Sequence, residues 1–296
     1  MSAAPGGACP LCGGARLREA ARGAASRVAR CEGCAMMFRL PYAAAKDRCE
    51  DCRDRCLDDE KCLDAGYSSA FLSARLEVDR VRLERLRAWA GPVRGARVLE
   101  LGAGVGALAS LLAAEAAEYR GLEPSPLFHR ALSRSFPALA LRVERARFPE
   151  GLGAERFDLV VAVDVLPFVE DPVAFLRAAR ERLAEGGRLY LELPNERLLG
   201  LRAAARGALG LYAAEPVHPG HINFFAPATL RAALERAGLR PLRLGQVTLI
   251  GDPRRVEMTL RRPLGPLARS GCALLRWSRL DLLLQQGNLV AAAEAA

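Results

Sequence analysis

The chain has 296 residues, 51% apolar and 26% charged, with a formal net charge of +9. That balance is an ordinary globular one, long enough to bury a real core, and suits one large domain or a domain plus a small appendage. Nearly all the positive charge is arginine, with only Lys46 and Lys61 as lysines. This looks like coding bias, which weakens the basic balance as evidence for a nucleic-acid partner.

The N-terminal stretch MSAAPGGACPLCGG lacks a charged segment followed by an apolar run, so no signal peptide is predicted. No segment is apolar for long enough to span a bilayer. The expectation is a soluble, cytoplasmic protein without a membrane partner, in which disulfides are disfavoured.

Eight of the nine cysteines precede residue 63, and the ninth, Cys272, reads as a lone buried thiol. Cys9 and Cys12, then Cys31 and Cys34, form two C-x2-C knuckles at zinc-ribbon spacing. Each knuckle offers two thiolates to one ion, with Gly13 and Gly33 suited to the turns. Four thiolates make a closed, structural Zn2+ site. The second group is Cys49, Cys52, Cys56 and Cys62, in the charged stretch CEDCRDRCLDDEKC. Its spacing leaves three readings open: a second zinc site, an iron–sulfur cluster, or unligated thiols. A segment this small and polar needs metal to fold. Residues 1–64 are therefore expected to form a Cys-rich zinc module, and residues 65–296 the main domain.

From residue 65 the pattern changes. LSARLEVDRVRLERLRAWA (72–90) predicts an amphipathic leading helix within 65–92, ended by Gly91-Pro92. Strands follow at ARVLEL (96–101), EYRGLE (118–123), a weak LALRVE, FDLVVAVDVL (157–166) and RLYLELP (188–194). Helices lie between them: ALASLLAAEA, SPLFHRALSRSF, and PVAFLRAARERLAE ended by Gly186-Gly187. Alternation of this kind predicts an α/β fold, a Rossmann-like doubly wound parallel sheet with helices on both faces, which the end of the chain could complete to seven strands with one antiparallel. The end of the chain is open: either a hairpin at Gly251-Asp252-Pro253, or a last strand GNLVAAA (287–293) after a helix near 267–286.

The first strand runs into VLELGAGVGALA, which places Gly102, Gly104 and Gly106 before the helix. Alone, this also satisfies the dinucleotide fingerprint G-x-G-x-x-A, so NAD is a competing reading. Two acids weigh against it. Glu100, two residues before the first glycine, suits the cationic amino-acid end of S-adenosylmethionine and not a pyrophosphate. Glu123, ending the second strand, is placed for both ribose hydroxyls.

With FDLVVAVDVLPFVEDP and LAEGGRLYLELPN in order behind it, the segment from about 96 to 240 resembles the class I S-adenosylmethionine-dependent methyltransferases. The resemblance implies that Glu100, Gly102, Gly104 and Gly106 line the methionine part, that Glu123 binds ribose, and that Asp164, Val165 and Leu166 lie beside the cofactor. Two positions depart from the family: Arg145-Ala146 stands where Asp-Ala contacts adenine, and Pro167-Phe168 replaces Glu-His. CPLCGG…CEGCAMMF and His221-Ile222-Asn223-Phe224-Phe225-Ala226-Pro227 are similar to motifs of small-molecule methyltransferases of biosynthetic clusters, including deoxysugar C-methyltransferases. The long extra C-terminal domain of the sugar enzymes has no counterpart here. A thinner resemblance, to zinc-containing ribosomal-RNA guanine methyltransferases, makes nucleic acid the less favoured partner.

Methyl transfer to a hydroxyl or carbon needs a base. Of the three histidines, His129 lies in a surface helix, while His218 and His221 lie in a predicted substrate loop (196–226). His221 is the expected base or substrate contact; Tyr212 and Glu215 are weaker candidates. The D/N-P-P-Y of N-methylating relatives is absent. The expected function is methylation of a small-molecule hydroxyl or carbon. The alternatives are an RNA methyltransferase and a non-catalytic cofactor-binding protein.

Overall fold

The computed structural model describes residues 7–22, 27–40, 69–150, 152–197, 220–247, 265–278 and 287–296. The second cysteine group, Tyr212, Glu215, His218 and the hairpin expected at Gly251-Asp252-Pro253 lie outside them.

The chain opens with three antiparallel strands, β1 (Leu17–Arg22), β2 (Arg27–Cys31) and β3 (Met37–Leu40). The first knuckle precedes β1, and the second joins β2 to β3. In each, the residue after the second cysteine takes the left-handed conformation. In the first this is Gly13 (φ 73°); in the second it is Ala35 (φ 62°), and not the Gly33 that the sequence suggested. Gly13 and Ala35 donate their N–H groups to the carbonyls of Cys9 and Cys31 at 2.8 and 2.9 Å.

Helix α1 (Ser69–Ala90) follows, stopped by Gly91 at φ 99° with Pro92 behind it. The main sheet then builds as β4 (Arg97–Leu101), α2 (Ala107–Glu115), β5 (Glu118–Leu122), α3 (Pro126–Ser135), α4 (Pro137–Ala140) and β6 (Val143–Glu144). It continues with β7 (Phe157–Val163), a 3-10 turn at Leu166–Phe168, α5 (Pro172–Glu181) and β8 (Leu183–Pro194). After β9 (Asn223–Phe224) come α6 (Pro227–Arg236), β10 (Leu239–Val247), α7 (Pro266–Ser278) and β11 (Asn288–Ala295). Helices α3 and α5 start where a side chain caps the turn and Pro supplies N1: Ser125 Oγ accepts from Phe128 N, and Asp171 Oδ1 from Ala174 N.

The seven strands lie in the order β10-β11-β8-β7-β4-β5-β6. The run from β8 to β6 is parallel, and β11 pairs antiparallel with both β8 and β10. Of the two alternatives for the end of the chain, the last strand is present as β11, between β10 and β8; β10 falls on the first arm of the expected hairpin, whose turn and second arm lie outside the described residues. The sequence FDLVVAV is nearly all apolar because β7 is central and covered on both faces. Strand β8 starts earlier than expected: Leu183 already pairs with Phe157, and the Gly186-Gly187 turn forms an irregularity within the strand. Gly187 is required there, since a Cβ would sit 2.8 Å from the Phe157 carbonyl oxygen.

The cysteine-rich strands are not packed apart from this sheet. Cys9, Leu11, Cys31, Met36 and Phe38 belong to one buried cluster with Leu101, Leu166, Phe225, Leu234 and Leu289. Strand β3 pairs antiparallel with β9, which makes the small sheet four-stranded. Strand β9 lies two residues beyond His221, so the cysteine strands reach the loop that carries it.

Candidate active site

In an open α/β sheet, ligands bind at the carboxyl ends of strands where the winding direction reverses. Here that point lies between β4 and β7, and a cleft of about 950 Å³ opens over it. It is lined by Glu100 and Leu101 at the end of β4, Glu123 after β5, Asp164 after β7 and Pro194 at the end of β8.

The glycine loop forms the floor. Gly102, Gly104 and Gly106 all have positive φ, at 79°, 57° and 88°. They serve different ends. A Cβ at Gly102 would lie 2.6 Å from Val165 Cγ2, so this glycine lets the loop after β7 close against the loop after β4. A Cβ at Gly104 would meet nothing within 4 Å, so its backbone faces open space in the cleft. Gly106 caps α2 and packs on Leu132, which a Cβ would approach to 2.9 Å; it does not line the cleft.

Glu123 is buried and ties the loop together. Its Oε2 accepts from Gly104 N at 2.7 Å and its Oε1 from Ser125 N at 2.8 Å. A carboxylate oxygen has acceptor capacity for more than one donor. Glu100 is also buried, and its Oε2 accepts from the Tyr119 hydroxyl at 2.6 Å. Burial pushes its carboxyl up to about 8, although the Tyr119 bond pulls the other way. Asp164 has φ 57°, and its N–H donates to the Glu192 carbonyl at 2.7 Å. Burial also raises its carboxyl above the ordinary range, opposed by Arg82. Val165 lines the cleft, whereas Leu166 is buried beneath it in the core.

His221 and Phe168 lie on the same cleft, their rings meeting edge to face at 87° with centroids 4.9 Å apart. Ala146 and Phe148 line it too, from the stretch after β6 where the adenine contact departs from the family pattern. His129, by contrast, serves the fold: its Nε2 bonds the Val143 carbonyl at 3.0 Å. Cys272 is buried in α7.

Sequence reasoning missed the contribution of α1. Phe71, Arg75 and Asp79 line the cleft, and Asp79 continues into a buried ionic network. Asp79 pairs with Arg75 and Arg82. Arg82 also reaches Glu192 at 3.1 Å, and Arg85 bonds Glu192 at 2.8 Å. Tyr190 and Asn288 donate to Glu192 as well. Burial opposes ionisation of Glu192, but Arg82 and Arg85 outweigh it and hold its carboxyl down at about 2. The signal available in the sequence was a helical spacing of Arg75, Asp79, Arg82 and Arg85, which also describes a solvated face.

Cys9, Cys12, Cys31 and Cys34 bring their four sulfurs within 4.8 Å of one another. The Cys9–Cys34 and Cys12–Cys31 sulfurs are 3.4 and 3.5 Å apart. Sulfurs on a tetrahedral ion at the usual zinc–thiolate distance are separated by roughly 3.8 Å, so the donor set fits one such ion. Burial pushes the thiols of Cys9 and Cys34 up, Cys34 to about 11; burial at Cys31 is outweighed by the Cys34 and Gly33 N–H groups and the Cys12 thiol, which bring it to about 7. Four thiols this close cannot all ionise without a cation among them.

The order of the strands, the glycine loop at the end of β4 and the acid ending β5 define the methyltransferase class of nucleotide-cofactor folds. Residues 74–244 match the model described as Methyltransferase domain, more than half of the chain. The chain belongs to this family and is a class I S-adenosylmethionine-dependent methyltransferase. It is 33% identical over 165 residues to the ubiquinone biosynthesis O-methyltransferase of Xanthomonas axonopodis pv. citri (strain 306), covering 54% of this chain and 69% of that protein. Among solved structures, magnesium protoporphyrin IX methyltransferase of Synechocystis PCC 6803 with bound SAM matches 82% of this chain and 95% of its own at 14% identity, with a TM-score of 0.50. An S-adenosylmethionine-dependent methyltransferase from Mesorhizobium loti matches 71% and 95% at 20% identity, also with a TM-score of 0.50. These two show likeness of fold. Among the described residues, no helix is long and apolar enough to cross a membrane.

Proposed function

We propose that the chain methylates a hydroxyl oxygen of a small-molecule biosynthetic intermediate, with His221 as the general base. The observation that carries this reading is that His221 shares one cleft with Gly104, Glu100 and Glu123. The relatives named ubiquinone biosynthesis O-methyltransferase favour a hydroxyl over a carbon as the acceptor.

S-adenosylmethionine, when bound, supplies an electrophilic methyl group on a sulfonium. Gly102 and Gly104 admit the methionine part close to backbone. Glu100 pairs with its cationic end, and Glu123 accepts from the ribose hydroxyls while keeping its two backbone donors. Asp164 and Val165 flank the cofactor, and Phe148 and Phe168 supply apolar walls in place of the family's usual adenine contacts. His221 takes the hydroxyl proton as the acceptor oxygen becomes nucleophilic, and Phe168 holds the ring edge-on. Cys9, Cys12, Cys31 and Cys34 hold a structural Zn2+.

The test is transfer of label from methyl-labelled S-adenosylmethionine into fractionated extract of the source organism. The expected outcome is label in a small-molecule fraction, reduced about 10²-fold or more in His221→Ala, the range for loss of a general base. Label in RNA instead would overturn the assignment.

A further inference from the structure

The cysteine-rich strands have a structural connection to the cleft that the proposed function does not use. Strand β3 begins six residues after Cys31 and runs antiparallel to β9, with Met37 opposite Phe224 and Phe38 opposite Asn223. The next residue of β3, Arg39, continues the pairing past the end of β9: its N–H donates to the Ile222 carbonyl at 2.9 Å. Its side chain adds a second bond, Nε donating to the His221 carbonyl at 2.9 Å. Arg39 is only 4% exposed. A guanidinium is costly to bury, and its planar donors lower that cost only where acceptors are held in place.

The stretch His221-Ile222-Asn223 is also tied to the turn after β7. Ile222 N donates to the Pro167 carbonyl at 2.9 Å, and Asn223 Nδ2 donates to the Val169 carbonyl. Phe168, between those two carbonyls, meets the His221 ring. His221 is therefore clamped between Arg39 and the turn at 167–169. The start of β3 is in turn fixed by the second knuckle, since Cys31 N donates to the Met36 carbonyl at 2.8 Å.

We infer that Arg39 is a positioning residue for His221, and that the cysteine knuckle sets the place of this histidine through β3. The inference rests on the proposed base but is tested by where His221 sits and not by methyl transfer, so failure of either reading is distinguishable. The glycine loop is held by Glu123 through Gly104 N and Ser125 N, whereas Arg39 acts on the β9 side, at the His221 and Ile222 carbonyls, so cofactor affinity should not follow the position of His221.

The chain has three histidines, few enough to follow individually by NMR. The His221 ring resonance is assigned by its loss in His221→Gln, and His129, bonded to Val143, is an internal reference. In Arg39→Met the His221 resonance should leave the Phe168-shifted position for that of an exposed imidazole. His129 should stay in place, and S-adenosylhomocysteine affinity should remain within about twofold. A His221 resonance that does not move in the folded variant overturns the inference. If Arg39→Met disturbs His129 as well, it reports unfolding, and the decision passes to Arg39→Lys, which keeps the charge and stem but lacks the Nε donor. There, too, a moved His221 with an unmoved His129 supports the positioning role, and an unmoved His221 refutes it.

Discussion

Glu100, which lines the cleft, stands out in the sequence because it lies two positions before the first glycine, where a carboxylate has no packing reason to be in a buried strand end. The cost of placing it there was not legible. In the folded chain its carboxyl is raised to about 8 from an ordinary value of 4.5. A carboxyl raised on folding contributes its stability fully below the unfolded value and loses it as pH rises to the folded one. Cofactor-free wild type should therefore become less stable between about pH 4.5 and pH 8 through this group. Glu100→Gln keeps an acceptor for Tyr119 and does not titrate. Its melting temperature should match wild type near pH 4.5 and exceed it by a few degrees at pH 8, while S-adenosylmethionine binding weakens at least tenfold. Calorimetry across that range, with and without cofactor, checks both. Equal affinity in wild type and variant would remove Glu100 from the cationic end of the ligand. Gly106 and Leu166 show the limit of motif reading at this scale. Both occupy motif positions, yet one caps a helix against Leu132 and the other is core.

Among the elements, periodicity gave the alternating strands and helices, because each helix lays an apolar face on a sheet whose central strands are continuous apolar runs. The same periodicity marks helix α1 and its end at Gly91, but it does not say where the charges between the apolar residues lie. Asp79 and Arg82 are almost fully buried, Arg82 against Glu192 of β8. A partner 110 positions away leaves no local trace. Removing one member of such a network strands the others, at a typical cost of about 3–5 kcal/mol. Arg82→Met should thus lose roughly that much stability in urea unfolding at neutral pH. The pH dependence follows from Glu192, whose carboxyl is held down at about 2. A depressed carboxyl contributes stability above its unfolded value of about 4.5 and loses it as pH falls towards 2. The gap between wild type and Arg82→Met should therefore narrow as pH drops from about 5 to 3. A gap that stays constant would show that packing, not charge, sets the cost.

Along the chain, the cysteine-rich segment and the sheet look like two units, since composition changes near residue 65 and the knuckles are complete in themselves. The folded molecule joins them twice, through the β3–β9 pairing and through a buried cluster in which Cys9, Cys31 and Phe38 meet Leu101 and Phe225. Neither link is visible in the sequence, because each needs residues far apart along the chain to be neighbours. The consequence concerns the metal. Where a metal module is a separate unit, chelation unfolds it alone and leaves the larger domain with its own transition. Here the knuckle sulfurs are themselves part of the shared core, so loosening them exposes apolar surface that the sheet also uses. Removing the ion by a strong chelator, or substituting Cys34→Ser, should lower the melting temperature of the whole chain while preserving one cooperative transition. Scanning calorimetry distinguishes the cases. A single peak moved to lower temperature fits a metal that stabilises one folded unit, whereas a small new peak beside an unshifted main one would mean that the cysteine strands melt without the sheet. The ligand acts from the other side of the same unit: S-adenosylhomocysteine bound over β4 and β5 should raise that single peak and restore part of what chelation removes.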